Sequence, residues 1–165
     1  MKILLVALVA LSLLLSNTVI AKDYTLYLVR HAEKQASEDG DPNLTACGQQ
    51  RASELARILA QTNLKNVYST SYKRTLQTAN YTAQKHSVAL TQYAPNGLTQ
   101  LARVLKQKKE TALIVGHSNT TPELLRLLTG ERVTMSEDEF NLLIQVTFFE
   151  QNTVVTYLQQ PLICR

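Results

Sequence analysis

Two histidines in the sequence directly follow runs of apolar and β-branched residues. His31 follows residues 24–30, and His117 follows residues 111–115 and a glycine. Runs of this composition predict buried strands. A neutral imidazole can attack phosphorus and form a covalent phosphohistidine, which divides one difficult displacement into two easier steps. Arg30 places a fixed cation beside His31, so His31 is the candidate nucleophile and Arg30 a candidate donor to the charged oxygens of a phosphoryl group.

A second arginine stands in a segment that also predicts an anion site. Residues 69–79 begin with Ser69 after a short predicted strand, and Arg74 falls in the first turn of a helix predicted over about 72–86. A helix start favours an anion and disfavours a cation. An Arg74 side chain that points inward therefore indicates a bound anion, whereas a solvated Arg74 indicates nothing.

The segment after the second predicted strand supplies further candidates. Gly116 permits a close approach of the backbone to whatever occupies the site. His117 is placed to act as a second donor to a phosphate. Ser118, Asn119 and Thr120 either contact substrate or cap the following helix, and we expect capping for most of them.

The elements needed to position these residues alternate along the chain. Strands are predicted over 24–30, 67–69, 88–92, 111–115, 142–149 and 153–158, and helices over 46–61, 72–86, 98–108 and 121–128. This alternation predicts an α/β fold, a three-layer αβα sandwich with a mainly parallel sheet. Ligands of such sheets bind beyond the carboxyl ends of the strands, where His31 and His117 stand.

The first residues have the composition of an export signal. Lys2 is followed by an apolar run over residues 3–15, and Val19 and Ala21 suit a signal peptidase, so we expect residues 1–21 to be a signal peptide cleaved after Ala21. The run is shorter than the roughly 20 residues that span a bilayer, so no stable membrane insertion is expected after cleavage. We therefore expect a periplasmic or secreted protein whose single domain is residues 22–165.

The net charge bears on which partners the protein can bind, and the cysteine content bears on disulfide pairing. Removal of Lys2 lowers the formal net charge from +4 to +3. Lysines and arginines form no block and do not alternate with aromatic residues, so no nucleic-acid binding is expected. Cys47 and Cys164 are the two cysteines. An exported chain makes their pairing plausible, and two buried thiols are the alternative.

Four segments in order resemble the histidine phosphatase superfamily, whose fold is that of phosphoglycerate mutase. The family's strand followed by Arg-His-Gly is matched by residues 28–33, with Ala32 in place of the glycine. Its Ser-x-x-x-x-Arg-x-x-Gln-Thr-Ala motif is matched by residues 69–79, and its apolar strand ending in a small residue and His by residues 113–117. Residues 44–48, Leu-Thr-Ala-Cys-Gly, are similar to its Leu-Thr-x-x-Gly helix start.

The resemblance implies a role for each of these residues. His31 becomes the nucleophile, and Arg30, Arg74 and His117 become the rest of the phosphate pocket. Many family members carry an acidic proton donor after the third strand, but residues 92–100 contain no carboxylate here. Glu33 and Asp41 are the candidate replacements, and Glu33 has an alternative reading as the partner of Lys34 or another cation.

These residues predict a metal-independent phosphohydrolase without a cofactor, acting on a small phosphorylated substrate. The site set is His31, Arg30, Arg74, His117 and Glu33, with Ser118 and Asn119 as further substrate contacts. Two alternatives remain open: a phosphate- or phosphosugar-binding module without turnover, and a phosphohistidine phosphatase acting on proteins. A histidine-based metal hydrolase lacks ligands at suitable spacing. A monomer is expected.

Overall fold

The computed structural model describes residues 23–36, 40–150 and 152–161. Within them, strands and helices alternate up to residue 129, and two strands close the chain. The order is β1 (Tyr24–Arg30), α1 (Ala46–Ile58), β2 (Asn66–Ser69), α2 (Lys73–His86), β3 (Leu90–Gln92), α3 (Leu98–Lys108), β4 (Ala112–Gly116), α4 (Thr120–Thr129), β5 (Leu142–Phe149) and β6 (Asn152–Gln159).

The strands form one six-stranded sheet in the order β3-β2-β4-β1-β5-β6. The first four strands pair in parallel, as predicted. The β1·β5 and β5·β6 pairings are antiparallel, so β5 runs against the other strands. The short connection between β5 and β6 contains no crossover helix and can join only antiparallel neighbours, whereas the direction of β5 against β1 is set by tertiary packing. The mainly parallel sheet is confirmed, with this reversal as a correction.

Helices cover both faces of the sheet, which confirms the three-layer sandwich. One apolar cluster joins Leu28 and Ile114 to the inner faces of α3 and α4. The other joins Val29 and Leu113 to α1 and α2. Neighbouring residues of β1 and β4 thus face opposite layers, as strand geometry requires, and both layers are apolar. The central strands are therefore buried on both sides, and this packing holds their carboxyl ends in place.

The helix boundaries follow local chemistry. The Thr45 side chain caps α1 by accepting a hydrogen bond from the Gly48 backbone N–H at 3.0 Å. Gly48 permits close packing, because a Cβ there would lie 2.2 Å from the Glu33 carbonyl oxygen. The helix α1 ends at Ile58 instead of residue 61, since residues 59–61 form a turn. Pro122 lies in the first turn of α4, as expected.

Two expectations fall on residues outside the described ranges. The signal peptide, residues 1–21, lies there entirely, and so does Cys164, so cleavage after Ala21 and the Cys47–Cys164 pairing stay predictions. Across the described part of the chain, no helix has both the length and the apolar character needed to cross a membrane.

Candidate active site

The carboxyl ends of β1 and β4 and the start of α2 surround a cavity of about 370 Å³. Its position agrees with the rule for ligand sites in open α/β sheets. All four predicted pocket residues line it. Its lining is Arg30, His31, Lys34, Tyr72, Arg74, Pro95, His117, Ser118, Asn119, Thr120 and Glu137.

His31 is held by its backbone and by its ring. Its backbone N–H donates to the Gly116 carbonyl at 2.9 Å, which ties the end of β1 to the end of β4. Its Nδ1 lies 2.8 Å from the Ala32 carbonyl oxygen, which can only accept, so Nδ1 carries the proton. In the neutral ring this leaves the lone pair on Nε2. The nucleophilic atom of His31 is therefore Nε2.

The second histidine is held close to the first. His117 Nε2 lies 3.0 Å from the Thr70 hydroxyl, and its backbone N–H donates to the Thr120 hydroxyl at 2.8 Å. The ring centroids of His31 and His117 are 5.5 Å apart. Residues that follow β1, β2 and β4 therefore meet at one point, although they are far apart in sequence.

Both imidazoles are buried beside guanidinium groups. Burial lowers the pKa of His31 to about 3, reinforced by Arg30 and Arg74 and opposed by the hydrogen bond to Ala32. Burial also lowers the pKa of His117 to about 4, again with both arginines contributing. Both rings are therefore neutral near pH 7, the state in which an imidazole is a nucleophile.

Arg30 is almost fully buried, and its guanidinium stacks 4.3 Å above the Phe140 ring. Arg74 lies 4.4 Å above the Tyr72 ring, and its Nη1 is 3.8 Å from Asp41 Oδ1. The Nε of each arginine is buried and finds no hydrogen-bond partner among the described residues. A buried N–H without a partner is costly unless a ligand supplies the acceptor. The cavity is therefore suited to a multiply charged oxyanion.

Gly116 and the residues after His117 differ from their expected roles. A Cβ at Gly116 would lie 2.7 Å from Thr120 Oγ1 and 2.9 Å from the Tyr93 hydroxyl, so internal packing requires the glycine. Asn119 makes no side-chain cap of α4, and the Ser118 hydroxyl donates to Glu137 instead of the helix. The capping expectation is wrong for these two residues, while Ser118 and Asn119 do line the cavity.

Glu33 does not line the cavity. Its carboxylate accepts hydrogen bonds from Arg51, with Nε at 2.9 Å from both oxygens and Nη2 at 2.6 Å from Oε1. Both side chains are largely buried. This corrects the expected placement of Glu33 in the catalytic set: the cation it pairs with is Arg51, and the pair joins the segment after β1 to α1.

Substitution Glu33→Gln is expected to lower the free energy of unfolding by about 2 kcal/mol, because it leaves the Arg51 charge buried with a weaker partner. Urea unfolding measures this. Glu54→Gln is the matched control, since Glu54 pairs with the exposed Arg57 and should change stability by about 0.5 kcal/mol. A hundredfold lower turnover with unchanged stability would instead support proton donation by Glu33.

Sequence reasoning missed Glu137 and Phe140. Glu137 begins the acidic run over residues 137–139, Phe140 directly follows this run, and both residues precede β5. Because β5 is antiparallel to β1, residues before β5 lie at the same edge as the carboxyl end of β1. The run is visible in the sequence, but its position depends on the direction of β5.

The two low histidine pKa values make stability depend on pH. Below about pH 6.5 the unfolded chain binds protons that the folded chain does not, so stability falls as pH falls. Each histidine is expected to cost about 1.4 kcal/mol by pH 5.5. Urea unfolding of the wild type and His31→Gln checks this: the variant should lose less stability between pH 7.5 and 5.5. Parallel losses in both proteins would contradict the burial of a neutral His31.

No group of three or more His, Cys, Asp or Glu side chains in the described segments is arranged to hold a metal ion. The described part of the cavity lining offers cationic and neutral donors from its arginines and histidines together with one carboxylate. This donor set suits an anion better than a cation.

The fold and this pocket define an α/β protein of the phosphoglycerate-mutase-like class, and comparison with known proteins agrees. The sequence model of the histidine phosphatase superfamily (branch 1) matches residues 26–95. Over these residues the chain is similar to the histidine phosphatase superfamily. No match was found among curated protein sequences.

Solved structures share the fold at low sequence identity. The protein histidine phosphatase SixA, complexed with tungstate, superposes with a TM-score of 0.68 at 16% identity, covering 82% of this chain and 97% of SixA. A phosphoserine phosphatase mutant from Entamoeba histolytica gives 0.64 at 16%, covering 84% and 97%. Phosphoglycerate mutase from Bacillus anthracis gives 0.62 at 14%, covering 84% and 93%.

Proposed function

We propose that this protein is a metal-independent phosphohydrolase that forms a covalent phosphohistidine on His31. The observation that carries the proposal is the pocket itself: two neutral imidazoles 5.5 Å apart, beside two buried guanidinium groups whose Nε atoms find no partner among the described residues. Such a pocket offers a nucleophile and preorganised donors for the charge of a transferred phosphoryl group.

The reaction follows from the orientation of each group. The Nε2 of His31 attacks phosphorus as the bond from phosphorus to the leaving oxygen breaks. Nδ1 keeps its proton, which is hydrogen-bonded to the Ala32 carbonyl, so the phosphorylated ring is an imidazolium whose charge that carbonyl stabilises. Arg30 and Arg74 bind the equatorial oxygens, and His117 donates from the other side. Water then attacks phosphorus, the P–N bond breaks, and neutral His31 returns.

The substrate is proposed to be a small phosphorylated molecule, because the cavity is small and open. A phosphorylated histidine side chain is a second candidate, supported by the fold shared with SixA, a protein histidine phosphatase. We also propose a periplasmic or secreted location, which rests on the composition of residues 1–21, and a monomeric state.

Phosphate release from 4-nitrophenyl phosphate in excess EDTA tests the proposal. We expect turnover to survive chelation, and rapid quenching in alkali to trap an acid-labile phosphoryl group on the peptide that contains His31. Loss of turnover on chelation would contradict metal independence. Absence of turnover, with inorganic phosphate still raising the melting temperature, would favour the binding module.

A further inference from the structure

One side chain of the cavity has no role in the proposed mechanism. Among the described residues that line the cavity, Glu137 is the one acidic residue. Its carboxylate accepts a hydrogen bond from Arg30 Nη2 at 2.9 Å and another from the Ser118 hydroxyl. Arg30 directly precedes His31 and Ser118 directly follows His117, so the Glu137 carboxylate bridges the two loops that carry the histidines.

The backbone of this segment is held separately from the carboxylate. The carbonyl oxygens of Ser136 and Glu137 accept hydrogen bonds from Arg30 Nη1 at 2.8 and 2.5 Å. The Phe140 ring lies against the same guanidinium. The Glu137 side chain, in contrast, is 78% exposed. The carboxylate can therefore exchange its partners while the segment stays in place.

A phosphoryl group bound to Arg30 competes with this carboxylate and repels it. His31 attacks from the buried side of the cavity, and in-line displacement places the leaving oxygen on the opposite, open side. Glu137 lines the same cavity, and its side chain is mostly exposed to the solvent into which the leaving group departs. Among the described residues, the two carboxylates predicted from sequence already have partners: Glu33 pairs with Arg51, and Asp41 accepts from the Lys73 backbone N–H at 2.8 Å and lies 3.8 Å from Arg74.

We propose that Glu137 is the catalytic residue that donates a proton to the leaving oxygen. The inference rests on the phosphohydrolase function proposed above and deepens it. Glu137 supplies the acid that the segment after β3 lacks, and it comes from the segment before β5.

The proton that the leaving oxygen takes up comes originally from the substrate. The substrate arrives as a phosphate monoanion, whose proton passes to Glu137 as the phosphoryl group takes its place on Arg30. The P–O bond breaks as the bond from His31 Nε2 to phosphorus forms, and the leaving oxygen takes the proton from Glu137. In the second step the Glu137 carboxylate accepts a proton from the attacking water as the P–N bond breaks. Glu137 then returns this proton to the phosphate, which leaves as the monoanion, so the site is restored with Glu137 ionised.

The environment of Glu137 explains why the proton must come with the substrate. The Ser118 hydroxyl and then Arg30 hold the pKa of this carboxyl below its usual range, so it is ionised in the free site. The second pKa of a phosphate monoester is about 6. The wild-type kcat/KM should therefore follow the monoanion and decrease above about pH 6.

The test compares leaving groups in the full chain. The wild type, Glu137→Gln and Glu137→Asp are assayed on 4-nitrophenyl phosphate and on an alkyl phosphate, whose leaving group needs a proton. We expect Glu137→Gln to lower the ratio of alkyl to aryl turnover by about 10²- to 10⁴-fold, and Glu137→Asp to restore part of it. Glu139→Gln, two residues along the same segment, is the control and should leave the ratio unchanged.

Three results would overturn the inference. Equal slowing of both substrates by Glu137→Gln would indicate a structural role. A lower KM for both substrates at unchanged kcat would indicate a carboxylate that only competes with phosphate for Arg30. Absence of wild-type turnover of either substrate would overturn the phosphohydrolase proposal and this inference with it, whereas the first two results leave the phosphohydrolase intact.

Discussion

Replacement of His31 by alanine is expected to abolish phosphate release, with a loss on the order of 10⁴-fold or more, because no other group in the cavity replaces the His31 Nε2 nucleophile. Residual turnover would reflect binding and electrostatic stabilisation alone. The measurement is phosphate release from 4-nitrophenyl phosphate at saturating substrate, beside alkaline trapping of the phosphoryl group.

Two comparisons make the result of His31→Ala specific. His86→Ala changes a histidine in the last turn of α2, outside the cavity lining, and should retain turnover. Binding of inorganic phosphate, followed by the rise in melting temperature, should persist in His31→Ala because Arg30, Arg74 and His117 remain. Turnover of His31→Ala equal to that of the wild type would mean that the nucleophile is a different residue.

Substitution Arg74→Ala is expected to cost about 3 to 4 kcal/mol of transition-state stabilisation, a decrease of about 10²- to 10³-fold in kcat/KM. The Arg74 side chain is largely buried, stacked on Tyr72, and has an unpartnered Nε among the described residues. Its removal takes away a preorganised donor without emptying the apolar core. Steady-state kinetics on an aryl phosphate measure the effect.

The matched control for Arg74 is its neighbour. Lys73→Ala removes an exposed cation from the same helical turn, and its backbone N–H to Asp41 is unchanged, so kcat/KM should stay within a few-fold of the wild type. Arg74→Lys should be intermediate, because a lysine keeps the charge and loses the planar pair of donors. Near wild-type kinetics for Arg74→Ala would remove Arg74 from the pocket.

Substitution of Arg30 is a less specific test than substitution of Arg74. Arg30 also holds the backbone carbonyls of Ser136 and Glu137 and stacks on Phe140. Its removal would release the segment before β5 as well as a phosphate donor, so the kinetic loss would combine two causes. The Arg74 variants and their Lys73 control test the charge, the hydrogen-bonding geometry and the position of the phosphate donor separately.

Local sequence patterns were sufficient to predict the alternation of elements, the parallel part of the sheet and the four residues that meet at its edge. Continuous apolar runs before His31 and His117 identify strands buried on both faces, and the carboxyl ends of parallel strands share one edge. Thr45 and Pro122 marked helix starts because capping and the fixed φ of proline act locally. Such features depend on residues close in sequence, so sequence patterns predict them.

The direction of β5 and the partners of the carboxylates depend on tertiary packing. The run before β5 reaches the site because β5 is antiparallel to β1, which brings Glu137 and Phe140 to Arg30. Glu33 stands two residues from His31 yet pairs with Arg51 on α1, since the packing of that helix sets which cation is near. The hydrogen bonds among these contacts join residues 18 to 107 positions apart, and no local pattern specifies which side chains meet over such separations.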